Sequence, residues 1–166
     1  MLVMMLLSAN KRVNFVCSIF GILDIKEATT DLRQVALRQS RLLRHRGPDW
    51  SGSYTSPHAV LAHERLAIVD VTTGAQPLLS PDGECALAVN GEIYNHQELR
   101  SSMPDYAFTT ASDCEVILPL YLGEGAGFLN RLRGMFAFVL YDAAQDHWLI
   151  ARDPVGIIPL YTGFDD

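Results

Sequence analysis

Cysteine is scarce: three residues, Cys17, Cys85 and Cys114, an odd number with no CxxC spacing. That excludes a disulfide framework or a zinc knuckle, and suits a reducing, cytoplasmic compartment. Long apolar runs are also missing. The N-terminal MLVMMLLSANKR carries only seven apolar residues before Ser8. This is too short to cross a membrane, and it lacks the basic lead and cleavage site of a signal peptide. Cationic charge is low, with 13 Lys+Arg against 19 Asp+Glu and a formal charge of -6, so phosphate backbones and anionic lipid are repelled: no nucleic acid and no membrane are expected as partners. The one basic concentration, residues 33–46, reads as the solvated face of a helix. His45, His63 and His96 have no metal-ligand spacing, so they read as structural and no metal is expected. There is no internal repeat, low-complexity tract or linker.

What is present is apolar material, 49% of 166 residues, enough for one sizeable core in a single domain. Residues 18–23 form a short apolar run suited to a buried strand. Asp31 with Gln34 three residues on starts a helix whose apolar spacing runs through Leu32, Val35, Ala36, Leu42 and Leu43. Gly47-Pro48 is its expected stop. Short strands are expected at 59–62, 66–71 and 85–89. Ser112 and Glu115 form a capping-box signature ahead of VILPLYL, and Pro119 inside that helix predicts a kink or an early stop, since an interior proline costs about 3 kcal/mol. A further helical turn is expected around Phe128, Leu129 and Leu132, followed by a β-hairpin from residues 135–141 and 148–152. Helices and antiparallel strands in separate runs indicate an α+β architecture.

Six segments carry a family resemblance: CSIFG at Cys17, RHRGPDWSG at Arg44, LAHERLAIVD at Leu61 with GAQPL at Gly74, NGEIYNHQELR at Asn90, SDCEVIL at Ser112, and RGMFAFVLYD at Arg133 running on to RDPVGIIPLY at Arg152. In this order and spacing the chain resembles the glutaminase domain of glutamine-hydrolysing asparagine synthetases, a class II glutamine amidotransferase of the N-terminal-nucleophile hydrolase superfamily. The resemblance runs nearly continuously from Cys17 onward. It implies a four-layer αββα sandwich of two antiparallel sheets flanked by helices, truncated at its last strands.

The resemblance also implies a chemistry. Cys17 is the expected nucleophile and must head the mature chain, because its own α-amine, with a reference pKa of about 7.7–8.0, serves as general base. A peptide nitrogen lacks that basicity. Asn90 and Gly91 are expected at the oxyanion hole, the first through its side-chain amide and the second through its backbone N–H, where glycine admits close approach of substrate. An ordinary Asn-Gly turn is the competing reading. Arg65 is expected to grip the glutamine α-carboxylate through its planar guanidinium. Glu92 and Asp113 are expected to hold the α-ammonium, Asp113 also being a favoured acid in a first helical turn. Cys85 and Cys114 read as small buried hydrophobes.

Two features depart from the family. Residues 1–16 precede Cys17, which suggests a removed leader, or a spurious one whose true start is a GTG codon at Val16, leaving 17–166 as the working domain. No SGG-x-DS pyrophosphate loop occurs, so a synthetase domain, with its ATP and Mg, is expected elsewhere, and no cofactor in this chain. Expected partners are glutamine and that synthetase domain, and the full-length enzyme is compatible with a homodimer. Two alternatives stay open: a glutaminase serving a sugar phosphate or phosphoribosyl acceptor, and an inactive glutamine-binding fragment.

Overall fold

The computed structural model describes residues 17–26, 31–66 and 73–164, and the backbone of 2–5. Nine strands fall into two antiparallel sheets. The first has β1 (Leu2–Met5), β2 (Ser18–Leu23), β3 (Trp50–Thr55), β4 (Ala59–Arg65) and β9 (Tyr161–Phe164), in the order β3-β4-β2-β1-β9. The second has β5 (Leu78–Leu79), β6 (Cys85–Ile93), β7 (Gly134–Asp142) and β8 (His147–Arg152), in that order.

Three apolar clusters mark three seams between four layers. Ile19, Leu23, Ala59 and Leu61 of the first sheet meet Ala86, Ala88, Ala137, Val139 and Tyr141 of the second. Alternate residues of the same strands, Phe20, Ile22, Val60 and Ala62, face Ala36 of helix α1 (Leu32–Arg41) on the outside. On the far side Leu87, Val89, Phe136, Phe138 and Leu140 pack beneath Leu99 of α2 (His96–Ser101), Ile117, Leu118 and Leu120 of α3 (Ile117–Glu124), and Phe128. The period-2 alternation of a strand supplies both faces of each sheet. The αββα sandwich is the expected one.

Most elements fall where the residues suggest, with three corrections. Helix α1 is capped by Asp31, which accepts from the Gln34 N–H at 3.2 Å, but it ends at Arg41 rather than running to Gly47. Tight turns bonded three residues back, such as Leu43 to Ser40 at 2.8 Å, carry the chain onward. Gly47 is wanted for another reason: a Cβ there would lie 2.2 Å from the carbonyl oxygen of Glu64. Pro119 neither kinks nor stops its helix. Asp113–Val116 forms a 3-10 turn first, so Pro119 falls in the opening turn of α3, where a missing donor has no ladder partner to lose. The capping box is half formed: Ser112 Oγ accepts from Cys114 N–H at 3.3 Å, while the Glu115 carboxylate accepts instead from the N–H groups of Thr109 and Thr110 at 2.7 and 2.8 Å. The turn around Phe128 is a 3-10 segment, Gly125–Arg131. Strands β3, β5 and β9 carry no clear sequence signal, and the strand expected at 66–71 lies almost wholly outside the described residues.

Candidate active site

Cys17 stands at the head of β2, half-buried, its Sγ accepting from the Leu66 N–H at 3.2 Å and facing the Leu66 carbonyl at 3.5 Å. Burial pushes its thiol up, against the lowering effects of the Leu66 backbone and the Arg65 charge, and the Asp113 charge adds to the rise. A buried thiol raised in this way stays protonated near neutrality and needs a base before it can attack.

The residues gathered around it come from three elements, β4, β6 and the 3-10 turn at Asp113. Arg65 ends β4 and is buried. Beneath it, Glu64 accepts from Ser40 Oγ at 2.9 Å and Ser51 Oγ at 2.5 Å, which ties β4 to α1 and β3. His63 is fully buried, with Nε2 against the Val89 carbonyl at 3.0 Å, linking β4 across the sandwich to β6 one residue before Asn90. At the other end of β6, Asp113 Oδ2 accepts from the Ile93 N–H at 2.7 Å, and Cys114 Sγ lies 3.8 Å from the Gly91 carbonyl. Segment 90–93 and the start of the 3-10 turn are thereby locked together beside Cys17. Of the expected site residues, Cys17, Arg65 and Asp113 interact electrostatically, and Glu92 and Cys17 both act on the Cys114 thiol, which burial raises most.

Asn90 is fully buried, and among the described residues neither Oδ1 nor Nδ2 has a hydrogen-bond partner. A buried amide left without a partner costs roughly 1–3 kcal/mol, so this group calls for an explanation that a polar ligand would supply. Ser18 Oγ and Arg46 Nε are orphaned in the same way. Asn90 and Gly91 form no turn: both lie inside β6, paired with Ala137 and Phe136 of β7. Glycine is required at 91 by the protein itself, since its φ is +140° and a Cβ would fall 2.0 Å from the Met135 carbonyl oxygen. That requirement stands whether or not substrate approaches the main chain there.

Arg46 escaped the sequence reading. Among the arginines assigned to a solvated helix face, it is only 4% exposed; burial lowers its pKa and the nearby Cys17 sulfur raises it. The signal available was its place in RHRGPD, beyond the helical stripe. His45 is exposed and rests on the Leu42 carbonyl at 3.2 Å, and His96 contacts the Ile93 carbonyl at 2.9 Å, consistent with structural roles. Among the described residues no cluster of His, Cys, Asp or Glu gathers as a metal site.

Fold and site together define a four-layer αββα protein with a cysteine at the head of a central strand, within electrostatic reach of two buried arginines, Arg46 and Arg65. The chain belongs to the glutamine amidotransferase domain family, whose model matches residues 16–166. It is 62% identical over 151 residues to asparagine synthetase B (glutamine-hydrolyzing) of Escherichia coli, covering 90% of this chain and 27% of that protein. It is 56% identical over 128 residues to asparagine synthetase (glutamine-hydrolyzing) 1 of Saccharomyces cerevisiae, covering 77% and 22%. With asparagine synthetase (glutamine-hydrolyzing) 3 of Arabidopsis thaliana the identity is 49% over 148 residues, covering 89% and 26%. The chain thus spans about a quarter of the length of these relatives and corresponds to their glutamine amidotransferase domain.

Proposed function

We propose that the domain beginning at Cys17 hydrolyses the side-chain amide of glutamine through a cysteinyl thioester, and that the ammonia serves ATP-dependent asparagine synthesis from aspartate. The observation that carries this reading is that Cys17, heading β2, stands within electrostatic reach of both Arg65 and Asp113, the groups needed at the two ends of an amino acid. The α-amine of a terminal Cys17 takes the thiol proton, and the thiolate attacks the amide carbon. Negative charge on the carbonyl oxygen is met by Asn90 Nδ2 and the Gly91 N–H. Collapse expels ammonia, which leaves with the proton returned by the amine, and water then releases glutamate from the thioester. Arg65 holds the α-carboxylate, and Glu92 with Asp113 holds the α-ammonium. The ammonia passes to a synthetase unit of the kind that the relatives' names imply, with its own ATP and Mg.

In the chain as written the Cys17 nitrogen is a peptide amide with no basicity, so the 166-residue form is inactive until it begins at Cys17. Ammonia and glutamate release are measured on chains starting at Met1 and at Cys17. Activity in the shorter chain alone is expected, lost in Cys17→Ala and retained in Cys85→Ala and Cys114→Ala. Equal activity in both lengths would remove the α-amine from the mechanism, and glutamine binding without turnover in either would favour the inactive fragment.

A further inference from the structure

The segment ahead of Cys17 is built into the same sheet as the nucleophile. Strand β1 lies between β2 and β9 and pairs antiparallel with both: Leu2 to Met5 oppose Leu23 to Phe20 on one side and Phe164 to Tyr161 on the other. Among the described residues β1 is the strand that joins β9 to the sheet. On the other side β2, buried along its whole length, would lose the partners of Phe20 through Leu23. Backbone groups of a buried strand must be paired somewhere, so the space between β2 and β9 is a strand-accepting slot. The register puts Met5 opposite Phe20, and Met5 stands twelve positions before Cys17 in the sequence. A cut ahead of Cys17 therefore severs no bond of β1.

We propose that when the chain is opened before Cys17, as the glutaminase reading above requires, residues 2–5 stay in the β2–β9 slot as a noncovalently bound strand. Maturation then frees the amine without dismantling the sheet. Such strand addition, held by main-chain hydrogen bonds on each side, is an established mode of peptide binding.

The test starts from the folded full chain with a site-specific protease sequence placed within residues 10–16, so that cutting leaves Cys17 first. Native mass spectrometry and gel filtration follow the cut. The expected result is a 1:1 complex of leader and body. Met4→Pro, which removes a backbone donor within the strand, should release the leader after the cut and should lower the melting temperature of the uncut chain by about 5 °C. A wild-type leader that separates, whether the body stays folded or aggregates, overturns the proposal. So does equal retention of the Met4→Pro leader, or an unchanged melting temperature in its uncut chain. Ammonia release from the same cut sample keeps the two readings apart. A retained leader without turnover counts against the glutaminase and leaves the strand standing; turnover after the leader departs does the reverse.

Discussion

At the scale of single residues, the least ordinary group is Asn90, an amide sealed from water with both polar atoms unsatisfied. A protein with no use for that amide would gain by replacing it with an apolar residue of similar size. Asn90→Ala should therefore lower kcat for ammonia release by roughly 10²–10³-fold, the usual loss for one oxyanion donor. Stability should hold or rise slightly, and a thermal melt run beside the assay checks both halves. His63 sets a pH limit. Burial pulls its pKa down from 6.5 to about 4, partly opposed by the Val89 carbonyl. Its folded pKa lies below its unfolded one, so the unfolded chain binds the extra proton between these values. Stability is then complete above about pH 6.5 and falls by about 3 kcal/mol as pH drops to about 4. Urea titrations across that range should show the decline, and His63→Gln should flatten it.

At the scale of elements, carboxylates within the motifs organise backbone. Asp153 is buried and accepts from the N–H groups of Phe136, Val155, Ile157 and Ile158 at 3.0–3.3 Å. Although burial raises its pKa, those donors outweigh it and the net shift is downward. Glu115 gathers Thr109, Thr110 and Arg100 in the same way. The RDPVG turn thus rests on Asp153 rather than on Pro154, which stands exposed. Glycines do the complementary work where strands close on each other. Gly91→Ala should destabilise the domain by about 3 kcal/mol, since a side chain there meets both a disfavoured φ and the Met135 carbonyl. Denaturant unfolding measures this, and glutaminase activity should fall with it because Asn90 shares the strand.

Helix α1 and strand β2 were legible because their signals are local, an Asp31 cap and an unbroken apolar run. The end of α1 was not: Gly47 looks like a helix stop in sequence, yet its need for hydrogen in place of a side chain comes from Glu64, seventeen residues on. Pro119 misled for a related reason. Whether a proline lies in a first turn or an interior depends on where the helix starts, and the 3-10 turn moved that start.

At the scale of the whole molecule, the two sheets meet through small side chains. Ala59, Ala86, Ala88 and Ala137 are fully buried in the central seam, which brings the β4 and β6 backbones close enough for His63 to reach Val89 across it. Ala88→Leu would force the sheets apart, at a cost of about 1–3 kcal/mol. It should also loosen the His63 contact, lowering glutamine turnover more than a surface substitution of equal stability cost. Paired unfolding and activity measurements on Ala88→Leu and an exposed control on α2 decide this.

The sequence by itself determined the family and the main elements and singled out Cys17 as the expected nucleophile, because motif order, caps and strand alternation are properties of residues near one another in the chain. Only the tertiary structure decided that the Asn90 amide is buried, why residues 47 and 91 are glycine, that Arg46 is buried near Cys17, and that residues 2–5 pair beside β2. Each of these depends on segments distant in sequence meeting across a packed interior, where one carbonyl or one charge from elsewhere in the chain sets what a residue can be.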